Sequence, residues 1–75
     1  MILSGLLKTL RTRMLMSQET FAKEMNVTVC TINRWENGKS KPNITAINSI
    51  KAFCNKNSIA FDDIEKAWLE VNKNG

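Results

Sequence analysis

Asn33 and Arg34 are adjacent in the stretch TVCTINRWENGKSK (28–41). An amide and a guanidinium each hold two hydrogen-bonding atoms in a fixed plane, which suits recognition of another flat polar edge. Catalysis, by contrast, lacks its parts. The chain has no His, which removes His-based triads and the usual general base near neutral pH. Two cysteines, Cys30 and Cys54, give a zinc site too few ligands. Gly5, Gly38 and Gly75 are isolated, so no glycine-rich phosphate loop exists. Neither an enzyme nor a cofactor is expected.

Charge points the same way as the planar side chains. Residues 1–41 hold seven Lys and Arg against three acids, while residues 42–75 hold four of each. The whole net charge of +4 therefore sits in the first half, which suggests a polyanion met by that half. The start, MILSGLLKTLRTRM, is interrupted by Lys8 before an apolar run forms, unlike a secretory leader. No stretch reaches the roughly 18 apolar residues of a membrane span. The cysteines then read as free thiols of a cytosolic chain.

These side chains need elements to position them, and 75 residues provide for one small domain, 1–75. Leu3, Leu6, Leu7, Leu10 and Met14 share one face of a first helix. Ser17 is placed to cap a second helix over about 18–25, with Phe21, Ala22 and Met25 as its apolar set. Asn26 tolerates the left-handed conformation and suits a sharp exit. Thr28 can cap a third helix to about Asn37, with Gly38 just past its end. Val27, Ile32 and Trp35 are its apolar set, leaving Val29, Cys30, Asn33, Arg34 and Asn37 around the other side. Pro42 and Asn43 open a fourth helix, whose buried side is expected to be Ile44, Ile47, Ile50, Ala52, Phe53 and Cys54. A fifth, about 60–71, aligns Ile64, Ala67, Trp68 and Val71, with Asp62, Asp63 and Glu65 near its positive end and Lys73 beyond the other. The class is all-α, a bundle of about five short helices. Two helices joined by about three residues near 18–37 form a helix-turn-helix unit.

SQETFAKEMNVTVCTINRWENGKSKP (17–42) resembles the Cro/C1-type helix-turn-helix of phage repressors and bacterial transcriptional regulators. Ser17-Gln18, Ala22, Val27, Ile32, Trp35-Glu36, Gly38 and Pro42 match the family pattern in register, and the likeness extends over about residues 5–64. Leu15 and Asn26 stand where the family usually has Gly.

The resemblance implies a lambda-repressor-like fold and a cytoplasmic, bacterial or phage-encoded regulator, a repressor of transcription that binds double-stranded DNA as a homodimer. It implies base reading by Thr28, Val29, Cys30, Asn33 and Arg34 in the major groove. There Arg34 can bond guanine and Asn33 adenine, while Val29 and Cys30 offer apolar contact. Gln18, Thr31, Asn37, Lys39, Lys41 and Asn43 are expected at phosphates, and Arg11 with Glu36 as a structural ion pair. Trp68, Leu69 and Val71 are the candidate dimer surface, although Trp68 could instead close the monomer core. An alternative of another class is an antitoxin-type module whose partner is a toxin protein.

Overall fold

The computed structural model describes residues 2–73. Its five helices are α1 (Leu3–Arg13), α2 (Gln18–Met25), α3 (Val29–Glu36), α4 (Ile44–Lys56) and α5 (Asp62–Lys73). No strand occurs among the described residues. α1 packs on α3 and α5, and α2 packs on α3 and α4.

Helix starts follow the expected caps. Ser17 Oγ accepts from the Thr20 N–H at 3.1 Å, Thr28 Oγ1 from Thr31 N–H at 3.2 Å, and Asn43 Oδ1 from Ala46 N–H at 2.9 Å. Each cap satisfies one of the donors a helix start leaves unpaired, at about 1 kcal/mol.

Helix ends share one device. α1 to α4 each close with a residue at positive φ, namely Leu15 (58°), Asn26 (59°), Gly38 (71°) and Ser58 (56°). The next residue's N–H then reaches back across the last turn: Met16 to Arg11 O, Val27 to Ala22 O, Lys39 to Arg34 O, Ile59 to Cys54 O, at 2.8–3.1 Å. This is the Schellman closure, in which the reversed residue lets two N–H groups cover carbonyls the helix leaves open. Only one of the four uses glycine. Leu15 and Ser58 hold a conformation that costs an ordinary side chain about 1–2 kcal/mol. At α1, α2 and α4 the residue that reaches back is apolar and packs against the core: Met16, Val27 and Ile59. At α3 it is Lys39, which is exposed.

The core joins Leu7 and Leu10 of α1, Phe21 and Met25 of α2, Ile32 and Trp35 of α3, Ile50 and Phe53 of α4, and Ile64 of α5. Phe21 and Phe53 meet edge to face, with centroids 5.8 Å apart at 79°, a geometry worth about 0.5–1.5 kcal/mol beyond burial. Cys54 is buried among them, and burial raises its thiol pKa.

The fourth helix corrects the sequence reading. Ile44 is 60% exposed and Ala52 is exposed, whereas Ala46 is buried. At about 100° per residue, Ala46, Ile47, Ile50, Phe53 and Cys54 share one face, and Ala52 lies nearly opposite Ile50. α5 begins two residues later than expected, at Asp62, because Phe61 O accepts from Glu65 N–H at 2.9 Å and half-buried Phe61 anchors the entry. Lys73 is its last residue rather than the one beyond.

Candidate nucleic-acid interface

α3 divides along its axis. Ile32 and Trp35 are buried, while Val29, Cys30, Asn33, Arg34 and Asn37 are exposed. Spacing of three residues places the buried pair on one side, and Ala22, small and buried on α2, allows the two helices close approach. Val29, Cys30, Asn33 and Arg34, together with Gln18 from the start of α2, line one open depression of about 500 Å³. Its residues come from the start of α2 and from the first two turns of the outer side of α3.

Thr28 is exposed at the cap of α3, and its hydroxyl also meets that of half-buried Thr31 at 2.9 Å. Both hydroxyls sit beside the depression rather than in its lining. Asn37, Lys39, Lys41 and Asn43 are exposed as well, also outside that lining. Asn43 is occupied as the α4 cap. Lys41 borders a separate groove with Ile2, Ser4 and Val71.

Behind the depression lies a polar network that ties three helices. Arg11 Nε donates to Glu36 Oε2 at 2.7 Å and Nη2 to Glu36 Oε1 at 3.0 Å. Arg11 Nη1 donates to the Met16 carbonyl at 2.8 Å, which fixes the chain leaving α1. Gln18 Nε2 donates to Glu36 Oε1 at 3.1 Å. The two charged side chains are only 13% and 4% exposed. Burial pushes the Glu36 carboxyl up, but the hydrogen bonds from Arg11 and Gln18 and the charges of Arg11 and Lys8 outweigh it, leaving its pKa below the ordinary value. The hydrogen bond to Glu36 raises the Arg11 pKa in turn. Arg11 and Glu36 thus meet as expected, and Gln18 joins them as a third member.

Two links were not read from the sequence. The Gln18 contact spans 18 residues, and no local pattern signals it. The other is local: Asn37 Nδ2 donates to the Asn33 carbonyl at 2.8 Å and to Asn33 Oδ1 at 3.1 Å. Two amides four residues apart on a helix are neighbours, so that spacing was the available signal.

On the far side, Trp68 is half-buried and its Nε1 donates to the Pro42 carbonyl at 2.7 Å, binding α5 to the loop before α4. Leu69 and Val71 are 53% and 41% exposed. Leu69 shares a shallow groove with Ile44, Phe61, Lys51 and Glu65. No helix is long and apolar enough to cross a membrane, among the described residues.

A family model described as helix-turn-helix matches residues 7–58, from within α1 to the end of the α4 closure. No curated protein and no solved structure matches the chain.

Proposed function

The chain belongs to the Cro/C1-type helix-turn-helix family of DNA-binding regulators, and from that premise we propose that it is a sequence-specific repressor of transcription that inserts α3 into the major groove. The observation that carries this reading is the depression shared by Gln18, Val29, Cys30, Asn33 and Arg34. Three planar hydrogen-bonding side chains, Gln18, Asn33 and Arg34, stand there beside two apolar ones, a set that can match both base-edge polar atoms and a thymine methyl. Arg34 takes guanine O6 and N7, for about 1–3 kcal/mol of discrimination. Thr28 and Thr31 lie at the groove edge. The remaining amide hydrogen of Gln18 and the open N–H groups of its helix start face a phosphate. Lys39, and with it Lys41 and Asn43, flank the backbone, each neutralised phosphate adding about −0.9 to the salt slope of log K.

One module of this size covers too little DNA for tight specific binding, so two copies act together. Trp68, tied by its Nε1 to the Pro42 carbonyl, also lines the groove of Ile44 and Leu69, and these three form the candidate dimer surface. Lys51 and Glu65 border the same groove, so a two-fold axis there sets Lys51 of one copy against Glu65 of the other. α5 lies outside the family match, in keeping with a pairing surface particular to this chain.

Selection from a random duplex pool tests the reading. Enrichment of two related half-sites with centres about 34 Å apart is expected. Absence of any enriched sequence at low salt refutes it.

A further inference from the structure

Asn37 is the residue where the resemblance and the geometry part. A phosphate contact needs an outward donor, and the donor of Asn37 is its Nδ2. That atom gives two hydrogen bonds inward, to the Asn33 carbonyl at 2.8 Å and to Asn33 Oδ1 at 3.1 Å. A primary amide has two hydrogens. With both committed to Asn33, the atom that Asn37 leaves for solvent is its carbonyl oxygen, which cannot bond a phosphate oxygen.

We propose that Asn37 is a positioning residue for base recognition: it fixes the side-chain amide of Asn33 and so sets which base Asn33 prefers. This rests on the reading that α3 enters the major groove. An exposed Asn amide can turn over, exchanging donor and acceptor with little change in shape. Here the two orientations differ. In the observed one, Asn33 Oδ1 meets the Asn37 donor; turned over, Asn33 would set its own NH₂ against that donor. Asn37 therefore selects the orientation with Nδ2 away from the helix end. Asn33 Oδ1 has a second lone pair, so the fixed amide still offers the acceptor and donor that adenine N6 and N7 require. Asn37 is itself held: it ends α3, its own N–H bonds the Asn33 carbonyl at 3.0 Å, and Gly38 with Lys39 locks the closure behind it. The anchor is thus a backbone-fixed helix end rather than a free surface chain.

The test compares the full chain with three variants by selection from a random duplex pool, reading base preference at each position. Asn33→Ala identifies the pair that Asn33 reads, by abolishing preference there. Asn37→Ala should lower the adenine preference at that same pair by roughly three- to tenfold, part of what a full bidentate contact carries. Preferences elsewhere, and affinity for random duplex, should stay within about twofold. Asn37→Asp can only accept, so it turns the Asn33 amide over and should shift the preferred base at that pair. Preference ratios are independent of the folded fraction, so partial loss of the helix end does not obscure them. Equal weakening of all sequences by Asn37→Ala, with preferences unchanged, makes Asn37 a phosphate contact and overturns the proposal; unchanged preference in Asn37→Asp overturns it too. No enrichment by the unaltered chain removes the DNA reading itself, and the proposal with it.

Discussion

Replacing Arg11 by Met should remove a large share of this protein's stability. The substitution keeps the length and apolar stem of the side chain but removes the guanidinium. Glu36, whose side chain is 4% exposed, then keeps one hydrogen bond, from Gln18. The Met16 carbonyl loses its donor as well. Removing one partner of a buried ion pair costs about 3–5 kcal/mol, because the remaining charge is stranded away from water. A 75-residue chain has a total stability of only about 4–11 kcal/mol. With a urea slope near 1 kcal/mol per molar, the midpoint should fall by about 3–5 M. The reciprocal Arg11→Met/Glu36→Leu variant should recover most of this, since apolar packing can replace a buried pair. Acid sharpens the test. In the unaltered protein the folded Glu36 pKa lies below the ordinary value, so its contribution is complete above about pH 4.3 and disappears as pH falls through the lower folded value. In Arg11→Met the hydrogen bond and charge that hold the Glu36 pKa down are gone and burial pushes it up, so lowering the pH should stabilise the variant, reversing the slope. A loss below about 1 kcal/mol, as for an exposed surface pair, or an unreversed slope, refutes the reasoning.

Leu15→Gly should raise stability by about 0.5–1 kcal/mol in thermal or urea melts, because the left-handed Leu15 is 93% exposed and glycine removes its backbone strain while giving up little packing. Trp68→Phe should cost about 1–3 kcal/mol by stranding the Pro42 carbonyl that Nε1 reaches, measurable by the same melts. Leu69→Glu should leave the helical spectrum intact while sedimentation shifts to monomer and operator affinity falls; an unchanged assembly state argues against the Ile44–Leu69 surface. Arg34→Ala should lose about 1–3 kcal/mol at one base pair and relax preference there, read by competition binding.

The helix-turn-helix unit was legible almost to the residue because its punctuation is local. Ser17 and Thr28 cap, and Asn26 and Gly38 tolerate positive φ; each acts within a few residues of its own position. Ile44 and Ala52 misled for the opposite reason: both are apolar, but the phase of α4 is set by the core it meets, and composition does not carry phase. The start of α5 was hidden because the residue just before it, Phe61, is an apolar anchor rather than a capping side chain. At the site, the Arg11–Glu36 pair was available only through the family likeness, as its members are 25 residues apart. The inward hydrogen bonds of the Gln18 and Asn37 amides were not legible in the sequence. Exposure of a residue could be inferred from helical spacing; the commitment of its hydrogens could not.

The two thiols make the molecule its own reporter. Cys30 lies open on the outer face of α3 and Cys54 is sealed in the core. An alkylating reagent added to the folded chain modifies Cys30 at its own chemical rate, whereas Cys54 reacts only in molecules that have opened, at a rate proportional to their population. One mass spectrum, taken over time, thus contains two clocks. The fast one should slow when duplex covers α3, and the slow one should quicken with every substitution that loosens the core. Occupancy and stability can be followed in the same tube, with no label added to the sequence.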